Sequence, residues 1–167
     1  MILRAAEAAF GADGFRDTRL GDIAAAAGIR RSSLLYHFKS KDELYAAVVE
    51  RAFAELLEVV AGSLGQGADA GAQLDAILDA LLRFADERPG LVCVVLRELV
   101  DPRGGHRDRV ADAFGGLIDG LEAAFTGLAG ARVREGFAVR GAILQIVCAY
   151  LVRVASGGLG DRLWGAG

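Results

Sequence analysis

Cysteine, proline, lysine and histidine are all scarce among these 167 residues, and each scarcity excludes something. The two cysteines, Cys93 and Cys148, stand apart in apolar helical patterns. A disulfide framework or thiolate metal site is therefore not expected, and buried, reduced thiols are. Two prolines, few β-branched runs and abundant Ala and Leu point to an all-α chain. The two histidines, His37 and His106, are far apart. No carboxylate pair sits in an apolar cluster and no glycine-rich phosphate loop follows a strand, so no catalytic constellation emerges. Neither a metal nor a cofactor is expected. Arg4 and Glu7 interrupt any leader-like apolar start, and the most apolar run, residues 141–152, contains Gln145 and is too short to cross a bilayer. A cytoplasmic protein with no membrane partner is the expectation.

Apolar side chain is what the sequence has in excess. Hydrophobic residues make up 53% and mean hydropathy is +0.35, enough for a sizeable core with surface left to bury against a second subunit. Ile2, Ala5, Ala6, Ala9 and Phe10 form one stripe of a first helix over 2–13. Gly14 ends it, Phe15 tucks back, and Asp17 or Thr18 is placed to cap a second helix over 19–27. A third helix over 31–37 follows, then a fourth over 41–62 that opens on a Ser40/Glu43 capping box. Residues 62–71 read as a Gly-rich linker. Further helices are expected over 73–87, over 91–100 after Pro89, over 108–125 and over 135–155, with loops at 101–107 and 127–132. Residues 157–167 read as irregular. Gly11 and Gly14 read as helix-end punctuation.

One stretch, residues 19–41, stands out from the rest. Ile23, Ala24 and Ala27 share a face, Gly28 permits a sharp turn, Ile29 plugs it, and Leu34 and Phe38 lie four apart on the next helix. Arg30, Arg31, Lys39 and Lys41 fall between Gly28 and Lys41 with no acid among them. These four positive charges sit inside a chain of net charge −3, so the remainder carries −7. A basic helix-turn-helix on an acidic body is the electrostatic footprint of a DNA binder.

The elements ILRAAEAAF-x3-GF, Thr18, DIAAAAGI, SSLLYHF and K-x2-L ending at Leu44 resemble the DNA-binding domain of TetR-family transcriptional regulators over Ile2 to about Val49. The segments "RPGL…RELVDPRG" and "DRLWG" bear a weaker likeness to one branch of the family's regulatory domain. The resemblance implies a three-helix DNA-binding domain over 1–47 and a helical effector-binding and dimerisation domain over 48–167, about eight helices in all. Three departures stand out. Arg30 replaces a usual Ser or Thr, and Leu35 replaces a usual Tyr. The sequence also ends soon after the eighth helix, so the family's ninth is either truncated or absent.

The resemblance implies a homodimer on palindromic double-stranded operator DNA, in most cases a repressor that a small, mostly apolar effector releases. A helix seated in the major groove reads bases from its first turn, here Arg31, Ser32 and Ser33, with Arg31 placed for a guanine edge. Tyr36, His37, Lys41 and Arg19 are placed for phosphates. Arg30 and Arg31 read otherwise as solvated charges, and His37 as a packed histidine. Leu35 meets a thymine methyl or faces water. In the second half Phe84, Leu96, Phe114, Ile118, Gln145 and Cys148 are candidate pocket residues, with Arg97, Glu98 and His106 as polar contacts; each also reads as plain core or loop. Arg97 and Glu98 also read as an ion pair. Ala142, Ile143, Ile146, Val147 and Tyr150 are the candidate dimer face or pocket wall. A protein–protein module that has lost DNA binding is the rival reading, and the acid-free basic segment argues against it.

Overall fold

The computed structural model describes residues 1–63, 70–101, 106–129 and 138–164. Its helices are α1 (Ile2–Asp17), α2 (Leu20–Ala26), α3 (Arg31–His37), α4 (Lys41–Ser63), α5 (Ala70–Glu87), α6 (Pro89–Val100), α7 (Arg107–Ala129), α8 (Val139–Ala155) and α9 (Gly158–Trp164). No strand occurs among the described residues, and no helix among them is long and apolar enough to cross a membrane. The middle of the 62–71 linker, most of the 101–107 loop and the start expected for the 135–155 helix lie outside the described residues. A short helix, α9, occupies 158–164, where an irregular segment was expected.

The apolar stripe of α1 buries Ala6 and Phe10 completely. Gly14, at φ 78° and ψ 170°, breaks the helix in a conformation that a Cβ would strain. Phe15 then turns back to meet Phe10 and Tyr45, with ring centroids 6.0 and 5.2 Å away. The expected cap at Asp17 or Thr18 is not made. Arg19 is the N-cap residue of α2 and gives no side-chain cap. The Thr18 hydroxyl instead donates to the Gly14 carbonyl at 2.6 Å and lies 3.2 Å from that of Ala9, serving the end of α1.

The turn between α2 and α3 follows from its glycine. Gly28 takes φ 68°, its N–H donates to the Ala25 carbonyl and the Ile29 N–H to that of Ala24, the paired bonds of a Schellman motif. Ile23, Ala24, Ala27 and Leu34 are buried, which fixes α3 against the core by its inner face. Ser40 accepts from the Glu43 N–H at 3.0 Å, and the Glu43 carboxylate accepts from the Lys39 N–H at 2.8 Å. This is the expected capping box with its return bond moved one residue upstream.

The first four helices are joined to the remainder where α1 packs on α6 and where α4 packs on α5 and α7; the backbones come closest at α1 and α6. A Cβ on Gly11 would lie 2.5 Å from the Gly90 Cα and carbonyl oxygen, so the two backbones touch there. Gly11 is therefore a packing residue, and only Gly14 is punctuation. Beside this contact Arg88 is buried and donates to Glu7 of α1 and Glu55 of α4. Its guanidinium also lies 5.1 Å from the Phe84 ring centroid. Pro89 opens α6 at its first position, as expected. Cys93 and Cys148 are free and only half-buried.

Candidate nucleic-acid interface

The outward face of the α2–α3 unit collects most of the expected DNA-contact residues. Arg19, Arg30, Arg31, Ser32, Ser33 and His37 are exposed, and Tyr36 is 86% exposed, against complete burial of Leu34 one half-turn away. Leu35 is half-buried. The Tyr36 and His37 rings meet edge to face at 5.6 Å, so the histidine is neither packed into the core nor isolated. No carboxylate among the described residues pairs with Arg19, Arg30, Arg31 or Lys39. The arginines are thus free to meet an external anion.

Lys41 is placed differently. Its ammonium donates to the Arg16 and Thr18 carbonyls at 3.0 and 3.1 Å and lies 4.7 Å over the Phe15 ring. It ties the head of α4 to the end of α1. Two of its three N–H groups are thereby committed inside the chain.

Behind this surface, α4 to α8 enclose an apolar cavity of about 80 Å³ that includes Phe84 and Phe114, as expected, with Leu81, Leu121, Val147 and Tyr150. A second apolar cavity of about 90 Å³ adjoins it and shares Leu81, Leu121 and Val147. The Tyr150 hydroxyl donates to the Leu82 carbonyl at 3.2 Å. Burial, then Asp86, pushes its phenol up to about 12.

Five candidate pocket residues lie elsewhere. Ile118 is solid core, Leu96 packs at the core's margin, Gln145 is exposed and Cys148 half-buried off the cavity wall. Arg97 donates to the Gly11 and Ala12 carbonyls at 3.2 and 2.8 Å. It forms no ion pair with Glu98, which accepts instead from the Tyr45 hydroxyl at 2.9 Å. Burial first, then that bond, drives the Tyr45 phenol far above its ordinary value. Arg97, Glu98 and His106 do converge, but on a separate cavity beside Tyr45. Ile143, Val147 and Tyr150 turn inward on α8. Outward-facing residues of α8 include Gly141, Gln145, Ala149 and Val152, with Ile146 at the edge.

The sequence profile described as "Bacterial regulatory proteins, tetR family" matches residues 2–48, the whole of the α1–α3 unit and the head of α4. Residues 2–48 form a DNA-binding domain of the TetR type. The HTH-type transcriptional regulator RutR of Escherichia coli strain K12 is 48% identical over 50 residues, 30% of this chain. The match covers only 24% of that relative's length. Among solved structures, a TetR-like transcriptional regulator from Rhodococcus sp. RHA1 is 25% identical, with a TM-score of 0.72 over 93% of this chain and 82% of that one. The transcriptional regulator FadR of Bacillus subtilis, solved in complex with stearoyl-CoA, shares the fold at 20% identity, with a TM-score of 0.78 over 97% and 88%. TetR-family proteins are regulators rather than enzymes. The likeness to whole TetR-type chains extends the fold match well beyond the DNA-binding unit.

Proposed function

We propose that this chain is a cytoplasmic, sequence-specific DNA-binding regulator of the TetR family. Its residues 1–47 read operator DNA, and residues 48–167 form an effector-binding and dimerisation domain. The observation that carries the reading is the polarity of α3. Leu34 anchors one face, while Arg31, Ser32, Ser33 and Tyr36 stand in solvent on the other. Arg31 reads a guanine edge, and Arg19, Arg30, Tyr36 and His37 grip phosphates. Lys41 adds at most one N–H, because its ammonium already holds two carbonyls.

Each chain presents one reading helix, so a palindromic site calls for two copies. The exposed small residues of α7, Gly116, Gly120, Ala123 and Gly127, together with the outward face of α8, are where a second copy would pack. The apolar cavity supports a small hydrocarbon-rich effector that uses the Tyr150 hydroxyl as its one polar handle. Effector binding shifts the chain toward a form whose reading helices no longer match the groove spacing, which releases a repressor.

The test is fluorescence anisotropy on DNA selected from genomic fragments, titrated with salt. With about 6–10 phosphate contacts in a dimer, affinity falls on the order of 10³–10⁵-fold between 50 and 200 mM salt. Arg31→Ala relaxes base preference at one position of each half-site by about 1–3 kcal/mol. Salt-insensitive binding, or unchanged base preference in the variant, would refute the reading.

A further inference from the structure

A helix that stops leaves its last carbonyls without intrahelical donors, and α1 is interrupted at Gly14, before its final turn. On the near side of the interruption Arg97 of α6 reaches across. Its Nη2 donates to the Gly11 and Ala12 carbonyls at 3.2 and 2.8 Å, an arrangement the helix dipole also favours for a cation. Its Nη1 fills the space beside Gly14, where a Cβ would lie only 2.6 Å from it. Gly14 is thus required twice, by its φ of 78° and by the guanidinium seated against it. Lys41 of α4 grips the far side of the same break, at the Arg16 and Thr18 carbonyls.

Arg97 is the second of two points at which α6 holds α1. The first is the backbone contact of Gly11 with Gly90. Gly90 precedes Arg97 by about two turns, or about 10 Å, on the same face of α6. Two helices that touch at one place can pivot there, and a second attachment away from it fixes their angle. The reading unit depends on that angle. Helix α2 packs on α1 and on α3, and among the described residues no helix from α5 to α9 packs comparably on α2 or α3. The direction of α3 relative to α6 therefore follows α1.

We infer that Arg97 is a positioning residue for DNA reading. It meets no DNA itself; by holding α1 to α6 at one angle it presents α3 to the major groove. The inference rests on the reading of residues 1–47 as the operator-binding unit. Without the guanidinium, α1 swings about the Gly11–Gly90 contact and only part of the population presents α3 correctly. Apparent affinity falls by that fraction.

Residual dipolar couplings of the DNA-free chain measure the angle between α3 and α6. Fluorescence anisotropy on DNA selected from genomic fragments measures affinity, salt slope and base preference. Arg97→Met keeps the length of the side chain and removes every donor, whereas Arg97→Lys keeps a cation that can meet a carbonyl. Arg97→Met should shift the α3–α6 angle or spread it over several values. It should weaken operator binding by about tenfold, with salt slope and base preference unchanged. Arg97→Lys should recover most of both losses. Arg30→Ala gives the contrast, lowering the salt slope by about 1 per half-site while leaving the angle in place. An unchanged angle, undiminished affinity in Arg97→Met, or a loss of affinity accompanied by a lower salt slope would each overturn the inference. So would a lower melting temperature with angle and affinity intact, which is all that a merely structural role produces. Salt-insensitive binding by the unmodified chain would instead refute the DNA reading, and the inference with it. Should Arg97→Met fail to fold, Arg97→Gln, too short to reach both carbonyls, takes its place under the same criteria.

Discussion

Replacing Arg88 by Leu removes the guanidinium that bridges Glu7 of α1 and Glu55 of α4. Arg88 is 4% exposed and Glu7 5%. No other cation among the described residues reaches Glu7, so the variant leaves a buried carboxylate uncompensated, at a cost of about 3–5 kcal/mol. Glu55 adds little to that figure. It is more open to solvent and keeps Arg51 at 2.6 Å and Arg4 at 3.6 Å, pairs worth about 0–1 kcal/mol at such exposure. Against a native stability of about 5–15 kcal/mol, the loss is large. Urea denaturation followed by far-UV circular dichroism measures it from the midpoint and slope. The double variant Glu7→Gln with Arg88→Leu should recover about 2 kcal/mol or more, because the orphaned charge is gone. A loss below about 1 kcal/mol in the single variant, or no recovery in the double, would refute the claim that this pair is desolvated.

Four further outcomes follow from the same geometry. Gly11→Ala should lower the melting temperature, because its Cβ meets Gly90 backbone at 2.5 Å and overpacking of about 1–3 kcal/mol outweighs the helix-propensity gain of at most about 1 kcal/mol. Gly21→Ala, in open space on α2, should be neutral or stabilising in the same thermal scan. The Arg51 hydrogen bond, then the charge of Arg88 against the opposing pull of burial, hold Glu55 below its ordinary 4.5. Stability from Glu55 is therefore complete above pH 4.5 and lost as pH falls through the lower folded value, so Glu55→Gln should flatten the acid limb of a stability–pH curve. Ser40→Ala removes the acceptor for the Glu43 N–H and should cost about 1 kcal/mol by urea denaturation.

The reading unit was legible because its constraints are local. Ile23, Ala24 and Ala27 mark a buried face within one helix, and Gly28 can be justified from the turn alone. Gly11 could not be read that way. It differs from a helix-end glycine only because Gly90, distant in sequence, lies against it. Thr18 looked like a cap because Ser and Thr commonly are, but its hydroxyl was claimed by the carbonyls at the broken end of α1. Helical period identified which residues of α8 share a face, but not which way that face turns. Val147 and Tyr150 consequently reach the apolar cavity while Gln145 and Cys148 do not. The Arg88 cluster and the Glu98 cavity gave no local signal at all, since each joins residues from three or more helices.

Helix α4 has 23 residues, a rod of about 34 Å, and Glu55 sits about 21 Å from its Lys41 end. Its attachments make it a crank. Lys41 couples one end to the carbonyls of Arg16 and Thr18, and the Arg88–Glu55 contact supplies a fulcrum further along. A tilt of about 5° at that fulcrum swings the Lys41 end by about 2 Å. In the dimer proposed above, two such displacements would add to about 4 Å between reading helices whose target spacing is about 34–36 Å. A change in angle too small to disturb the packing of either half is thus large when measured along a DNA duplex.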